Sequence, residues 1–155
     1  MKKSNWKIYA LFIFIAVAGG ALVGFLNSEG TKEFSLYVNK PALTPPAMVF
    51  PIAWTILYTM MGISAAMVYT SEGGRDNLFP YWLQLIFNYL WSFLFFGGKA
   101  YVMAFILLLL IVFLVIITIL NFRKVNKTAA WFLVPYLLWL IFAGYLNVGV
   151  WMLNR

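Results

Sequence analysis

The sequence predicts an all-α integral membrane protein, a five-transmembrane-helix bundle with almost no soluble part. Composition is the first reason. Of 155 residues, 65% are apolar, 20% are aromatic and 10% are charged, against about 25% charged in a soluble domain. The placement of charge is the second. Eleven bases and four acids fall in short clusters, and the stretches between them are long and uncharged. A span needs roughly 20 mostly apolar residues to cross about 30 Å of hydrocarbon. The charges therefore punctuate spans.

Five such spans follow in order, at about 6–26, 47–70, 79–97, 101–122 and 131–153, within one transmembrane domain covering 1–155. The joining segments are short except 27–46. Met1-Lys2-Lys3 resembles the start of a signal peptide. The apolar stretch after it is long enough to span, however, and Gly19-Gly20-Ala21 lies inside it, so the first helix is expected to be retained. It carries Ala16, Gly20 and Gly24 four residues apart, a small-residue stripe suited to close helix approach, either within the bundle or across a dimer face. The second span holds Trp54 and Tyr58, the third Gln84 and Asn88, and the fifth Tyr136, Trp139 and Asn147. The fourth is aliphatic on every face and reads as packing and lipid contact. Pro51 predicts a bend beside Trp54. Pro135 predicts either a bend or a first-turn position, and Pro45-Pro46 marks the approach to the second helix.

Charge and composition also exclude functions. The net charge of +7 comes from bases that flank apolar segments rather than forming a patch among polar residues. Lipid headgroups, not nucleic acid, are the expected partner. With no cysteine and no histidine there is no thiolate chemistry, and no metal site of the usual kind is expected. Lys2, Lys3, Lys7, Arg75, Arg123, Lys124 and Lys127 share one side of the membrane, and Lys32, Lys40, Lys99 and Arg155 the other. Basic residues near span ends resist translocation, so the amino terminus is expected in the cytoplasm and the carboxyl terminus outside.

Helical spacing sorts the intramembrane polar groups onto faces. Trp54 and Tyr58 are four apart; Gln84, Asn88 and Trp91 run i, i+4, i+7; Tyr136, Trp139, Ala143 and Asn147 share a third face. At 1.5 Å per residue, Tyr58, Asn88 and Ala143 lie roughly 15 Å from the outer boundary, and Trp54, Trp91 and Asn147 roughly 10 Å. Two readings stay open. The groups line a small-molecule pocket beneath the long outer loop, or the amides bond across helices as structural glue.

Three stretches carry a family resemblance. Lys40-Pro41-Ala42-Leu43-Thr44-Pro45-Pro46, followed by Phe50-Pro51-Ile52-Ala53-Trp54-Thr55-Ile56-Leu57-Tyr58, resembles the loop-to-second-helix signature of the translocator protein family. These proteins are also called tryptophan-rich sensory proteins or peripheral-type benzodiazepine receptors. Gln84-Leu85-Ile86-Phe87-Asn88-Tyr89-Leu90-Trp91, ending at Phe95-Phe96-Gly97, is similar to the family's third helix. Pro135-Tyr136-Leu137-Leu138-Trp139, Phe142-Ala143 and Leu146-Asn147 are similar to its fifth.

The resemblance, to bacterial-type members in the cell membrane, implies a ligand pocket near one membrane face, closed by the first loop. Carried over by motif, Trp54, Asn88, Trp91, Trp139 and Ala143 would line it, with Asn88 and the Trp54 indole as polar handles. Pro45, Tyr58, Gln84, Phe95, Leu146 and Asn147 stand in the same motifs and complete the candidate ligand-binding set. Implied ligands are tetrapyrroles (protoporphyrin IX or haem, with no cofactor required), isoquinoline carboxamides and benzodiazepines. Family members often form homodimers.

Two departures bear on this. Leu43 stands where the family often has a tryptophan ahead of the Pro-Pro pair, so one lid aromatic is missing. Residues 146–155 contain no tyrosine, so the animal sterol motif is absent and a cholesterol-specific role is not implied. Three functions then compete. The first is a receptor or sensor for a flat hydrophobic molecule. The second is an enzyme degrading porphyrin with light and oxygen through oxidisable Trp54, Trp91 and Trp139. The third is a transporter, disfavoured because no carboxylate or base lies in the interior of a span, Lys7 standing at the very edge of the first.

Overall fold

The computed structural model describes residues 5–155; Lys2 and Lys3, part of the charge argument for orientation, lie outside them. The described chain is helical, with seven α-helices. They are α1 (Trp6–Leu26), α2 (Ser28–Tyr37), α3 (Val49–Tyr69), α4 (Phe79–Ser92), α5 (Tyr101–Val125), α6 (Lys127–Phe132) and α7 (Val134–Leu153). Four helical runs are long and apolar enough to cross a membrane: α1, α3, α5 and the stretch Lys127–Leu153 formed by α6 and α7. The third predicted span is an α-helix of 14 residues continued by a π-helical turn over Phe93–Gly97.

Local chemistry explains most helix ends. Pro80 and Pro135 sit in the first turns of α4 and α7, where the missing N–H has no intrahelical partner to lose. Asn126 caps α6, its Oδ1 accepting from the Ala129 amide at 3.1 Å. Arg123 and Lys124 occupy the last turn of α5, where the helix dipole favours positive charge. At the π turn the Gly98 amide donates to the Phe93 carbonyl at 2.8 Å, the i to i+5 pattern that widens the helix.

The helices pack in a ring: α1 on α3, α3 on α6 and α7, α7 on α5, α5 on α4, and α4 back on α1. α1 and α3 approach closely because Gly62 has no side chain; a Cβ there would stand 2.6 Å from the Ile13 backbone. Ser64 Oγ donates to the Ala129 carbonyl at 2.7 Å and ties α3 to α6. Met61, Ala65, Tyr81, Leu85, Ile111, Tyr136 and Leu140 fill the centre. Outward faces are apolar: Leu11, Phe14, Leu22, Phe25, Leu109 and Phe113 are all exposed, which suits lipid rather than water.

Several expectations are corrected. The predicted loop 27–46 is half helix. In α2 the Thr31 hydroxyl donates to the Asn27 carbonyl at 2.9 Å, and the segment escaped the sequence reading because it is mostly polar. Pro51 is the third residue of α3, still within the first turn, so it removes no intrahelical bond and no bend follows from it. The fourth helix runs on to Val125, and the fifth predicted span is interrupted at Leu133, between α6 and α7. Of the small-residue stripe, Ala16 is buried, and a Cβ on Gly20 would strike the Tyr58 ring at 2.3 Å, while Gly24 faces open space. Most of the stripe is used inside the bundle.

Candidate functional site

A buried polar network joins α3, α4 and α7. The Tyr58 hydroxyl donates to Asn88 Oδ1 at 2.6 Å, and Asn88 Nδ2 donates to the Tyr136 hydroxyl at 2.9 Å. The Tyr136 hydroxyl in turn donates to Gln84 Oε1 at 2.7 Å, and Gln84 Nε2 donates to the Met61 sulfur at 3.8 Å. Each donor faces the same way along the chain, so each group polarises the next. Intramembrane amides need partners, and here they find them in one another.

Against this network lies an aromatic cluster. Trp54 stacks on Tyr58 with ring centroids 5.3 Å apart and meets Tyr136 and Trp139 edge-on, each at 6.3 Å. Phe50 and Phe142 extend the cluster from Trp139, at 6.1 and 5.7 Å. The Trp54 indole N–H makes no hydrogen bond among the described residues, and the side chain is only half-buried. Beside it an apolar groove of ≈ 560 Å³ runs between α3 and α7, lined by Ala53, Ile56, Leu57, Pro135, Leu138, Trp139 and Phe142.

A second cluster sits nearer the π turn. Trp91 stacks on Phe95 at 4.7 Å, and its indole donates to Asn147 Oδ1 at 3.2 Å. Asn147 Nδ2 in turn donates to the Tyr101 carbonyl at 2.8 Å. Phe34 of α2 packs on Phe95 and Phe96, both at 5.4 Å.

The first loop is fastened over this end. On one side Lys99 pairs with Glu33 at 2.9 Å, and the hydrogen bond that Lys99 donates to the Glu33 carboxylate raises the Lys99 pKa above its ordinary value. On the other side the Asn39 amide donates to Asn154 Oδ1 at 3.0 Å, while Asn154 Nδ2 donates to the Asn39 carbonyl at 2.8 Å. Tyr145 donates its hydroxyl proton to the Ala42 carbonyl. A Cβ on Gly149 would lie 2.7 Å from Pro41, so the glycine allows the loop to rest on α7. Leu43, in the expected lid position, is 80% exposed and makes no aromatic cover.

The predicted site residues therefore divide. Trp54, Tyr58, Gln84, Asn88 and Trp139 meet in one place; Trp91, Phe95 and Asn147 meet in another. Ala143 is half-buried against the core, Leu146 is buried, and the described contacts bring Pro45 to neither cluster. The depth count puts Asn88 level with Ala143, but its partner on α7 is Tyr136, two turns away. Counting from a common boundary assumes parallel helices, and tilted ones do not keep that register. Tyr136, the hub, stood on the right face in the sequence and followed Pro135 directly. Met61 and Asn154 gave no such signal.

The arrangement offers aromatic faces and hydrogen-bonding groups, with no acid, base or thiol among them. No group of three or more metal-binding side chains occurs among the described residues. For haem iron the nearby candidates fit poorly: the Met61 sulfur already faces Gln84 and the Tyr58 hydroxyl is bound to Asn88.

Comparison with known proteins identifies the chain's relatives. The model of the TspO/MBR family matches residues 12–152, nearly the whole length. The chain belongs to the TspO/MBR family. A tryptophan-rich protein TspO of Chlorobaculum tepidum is 38% identical, over 97% of this chain and 99% of its own. The tryptophan-rich sensory protein of Cereibacter sphaeroides is 37% identical, over 97% and 93%. The translocator protein of Ovis aries is 33% identical, over 97% and 92%. With its membrane-length apolar helices, this TspO/MBR family member is an integral membrane protein.

Proposed function

We propose that this family member is a membrane receptor or sensor for flat, largely apolar molecules: tetrapyrroles such as protoporphyrin, and isoquinoline carboxamide or benzodiazepine-type ligands. We propose further that α4 and its π-helical extension cross together, so that the chain spans the bilayer five times with its amino terminus in the cytoplasm. The two pieces are 14 and 5 residues long, about 28 Å at helical rise, enough for the hydrocarbon core.

One observation carries the ligand reading. Trp54 presents an unbonded indole N–H in an aromatic cluster beside an apolar groove of ≈ 560 Å³, within the size range of small-molecule sites. The amides behind it are already satisfied, so they form a rigid wall rather than a set of open handles. Trp139 lines the groove and Trp54 packs edge-on against it, so a planar ligand would stack on Trp139 and accept one hydrogen bond from the Trp54 indole. Relatives named as sensory and translocator proteins accord with small-molecule recognition.

The test is titration of purified protein with protoporphyrin and with an isoquinoline carboxamide, followed by tryptophan fluorescence, in darkness and under illumination. Saturable binding in both conditions, weakened in Trp54→Phe, supports the receptor. Accumulation of a porphyrin product only in light would replace it with the photochemical enzyme. Failure of both ligands to bind would overturn the reading.

A further inference from the structure

At the opposite end of the bundle, where α1 begins and α3 ends, a recess of ≈ 590 Å³ is lined by Asn5, Ile8, Tyr69, Glu72, Arg75 and Asp76, with the turn residues between them. The rest of this face is basic, with Lys7, Arg123, Lys124 and Lys127. The acids on this side of the chain are Glu72 and Asp76, and both open into the recess. The single ion pair among the described residues joins Lys99 to Glu33 at the other end. Arg75, Glu72 and Asp76 therefore gather without pairing with one another.

Arg75 is positioned. Its guanidinium carbon lies 4.5 Å over the Tyr69 ring, a cation–π arrangement. Tyr69 is held in turn by Phe12 at 5.3 Å, itself packed on Trp82 at 5.4 Å. Gly74 keeps the turn tight, since a Cβ there would lie 1.8 Å from the Val68 carbonyl oxygen.

These charges select a ligand class. A plain anion would meet two carboxylates, and a plain cation would meet Arg75. A zwitterion carrying phosphate and ammonium satisfies both, the phosphate on the guanidinium and the ammonium on the carboxylates. A quaternary ammonium has no N–H to give those carboxylates and favours open aromatic faces. Among the described residues the one aromatic ring lining the recess, Tyr69, already has Arg75 over it. A primary ammonium fits better. Ile8 and Tyr69 belong to the ends of membrane-length helices, so the recess opens where a lipid's glycerol and acyl chains would continue. We infer that this recess is a binding site for the phosphoethanolamine headgroup of a membrane phospholipid.

Native mass spectrometry of the detergent-purified protein tests this with phosphatidylethanolamine, phosphatidylcholine and phosphatidylglycerol of matched acyl chains. The expected result is about tenfold tighter binding of the ethanolamine lipid, the scale of one or two charge-assisted hydrogen bonds. The double variant Glu72→Gln/Asp76→Asn should erase the difference between the ethanolamine and choline lipids. Arg75→Gln should weaken those two alike. Lys127→Gln, on the same face but outside the recess, should leave the preference intact. Soluble glycerophosphoethanolamine should not displace the lipid at equal concentration; displacement would overturn the lipid as source. Equal retention of all three lipids, or a preference that survives the double variant, would overturn the site.

Discussion

Asn88 and Trp54 both stand at the candidate site, yet the geometry assigns them different energetic roles, and substitution separates the two. Asn88→Leu removes an acceptor 2.6 Å from Tyr58 and a donor 2.9 Å from Tyr136. Tyr136 keeps its bond to Gln84, while Tyr58, only 8% exposed, is left with a donor and no acceptor. Interhelical hydrogen bonds in membranes contribute about 0.6 kcal/mol on average. An orphaned buried donor costs roughly 1–3 kcal/mol. Two lost bonds and one orphan give an expected loss of about 2–4 kcal/mol in stability. Trp54→Phe removes an indole N–H that bonds to nothing among the described residues and keeps an aromatic ring against Tyr58. Its stability should fall by under about 1 kcal/mol, the scale of a small volume change. Affinity for an isoquinoline carboxamide should fall roughly 5- to 150-fold, the equivalent of one hydrogen bond to a buried ligand. The assay pairs denaturant-induced unfolding in detergent with ligand titration by fluorescence on the same preparations. Asn88→Leu should fail chiefly in the first measurement and Trp54→Phe chiefly in the second. If Asn88→Leu unfolds like the parent, the network is not structural. If Trp54→Phe binds like the parent, the free indole is not the ligand's partner.

Other outcomes follow from the same geometry. Ala53→Phe should block ligand by placing a ring in the groove that Ala53 and Trp139 line, whereas Phe113→Leu, 58% exposed on α5, should leave binding unchanged; equal binding in both would place the ligand elsewhere. Protoporphyrin and haem should bind with similar affinity, because the Tyr58 hydroxyl and the Met61 sulfur are already engaged; a haem spectrum with two strong protein ligands would contradict this. In intact cells, Lys32→Cys and Lys40→Cys should react with an impermeant thiol reagent applied outside and Lys124→Cys should not; the reverse pattern would invert the orientation. The Lys99 pKa is raised by Glu33 from its ordinary 10.5. Its contribution to α2 docking is therefore complete below that ordinary value and is lost as pH rises through the higher folded one. Limited proteolysis of α2 should accelerate only in strongly alkaline buffer, and in Lys99→Gln the rate should no longer depend on pH there.

The sequence alone locates the long apolar stretches, because hydrocarbon thickness sets their length and charges are kept out of their middles. It also determined which polar groups share a helix face, since that needs only the 3.6-residue turn. Tyr58 with Trp54, and Gln84 with Asn88, were legible in this way. Partnership between helices was not. Asn88 meets Tyr136, two turns from Ala143, because the rise along each helix does not fix how far neighbouring helices are offset from one another. The helix α2 was hidden because few of its residues are apolar; Phe34 and the Glu33–Lys99 pair dock it only once the π turn supplies Phe95 and Phe96. The same holds for the free Trp54 indole. Its chemistry is written in the residue, but whether a neighbour satisfies it depends on three helices meeting, and it is their packing that pairs the amides with tyrosines and leaves the indole open.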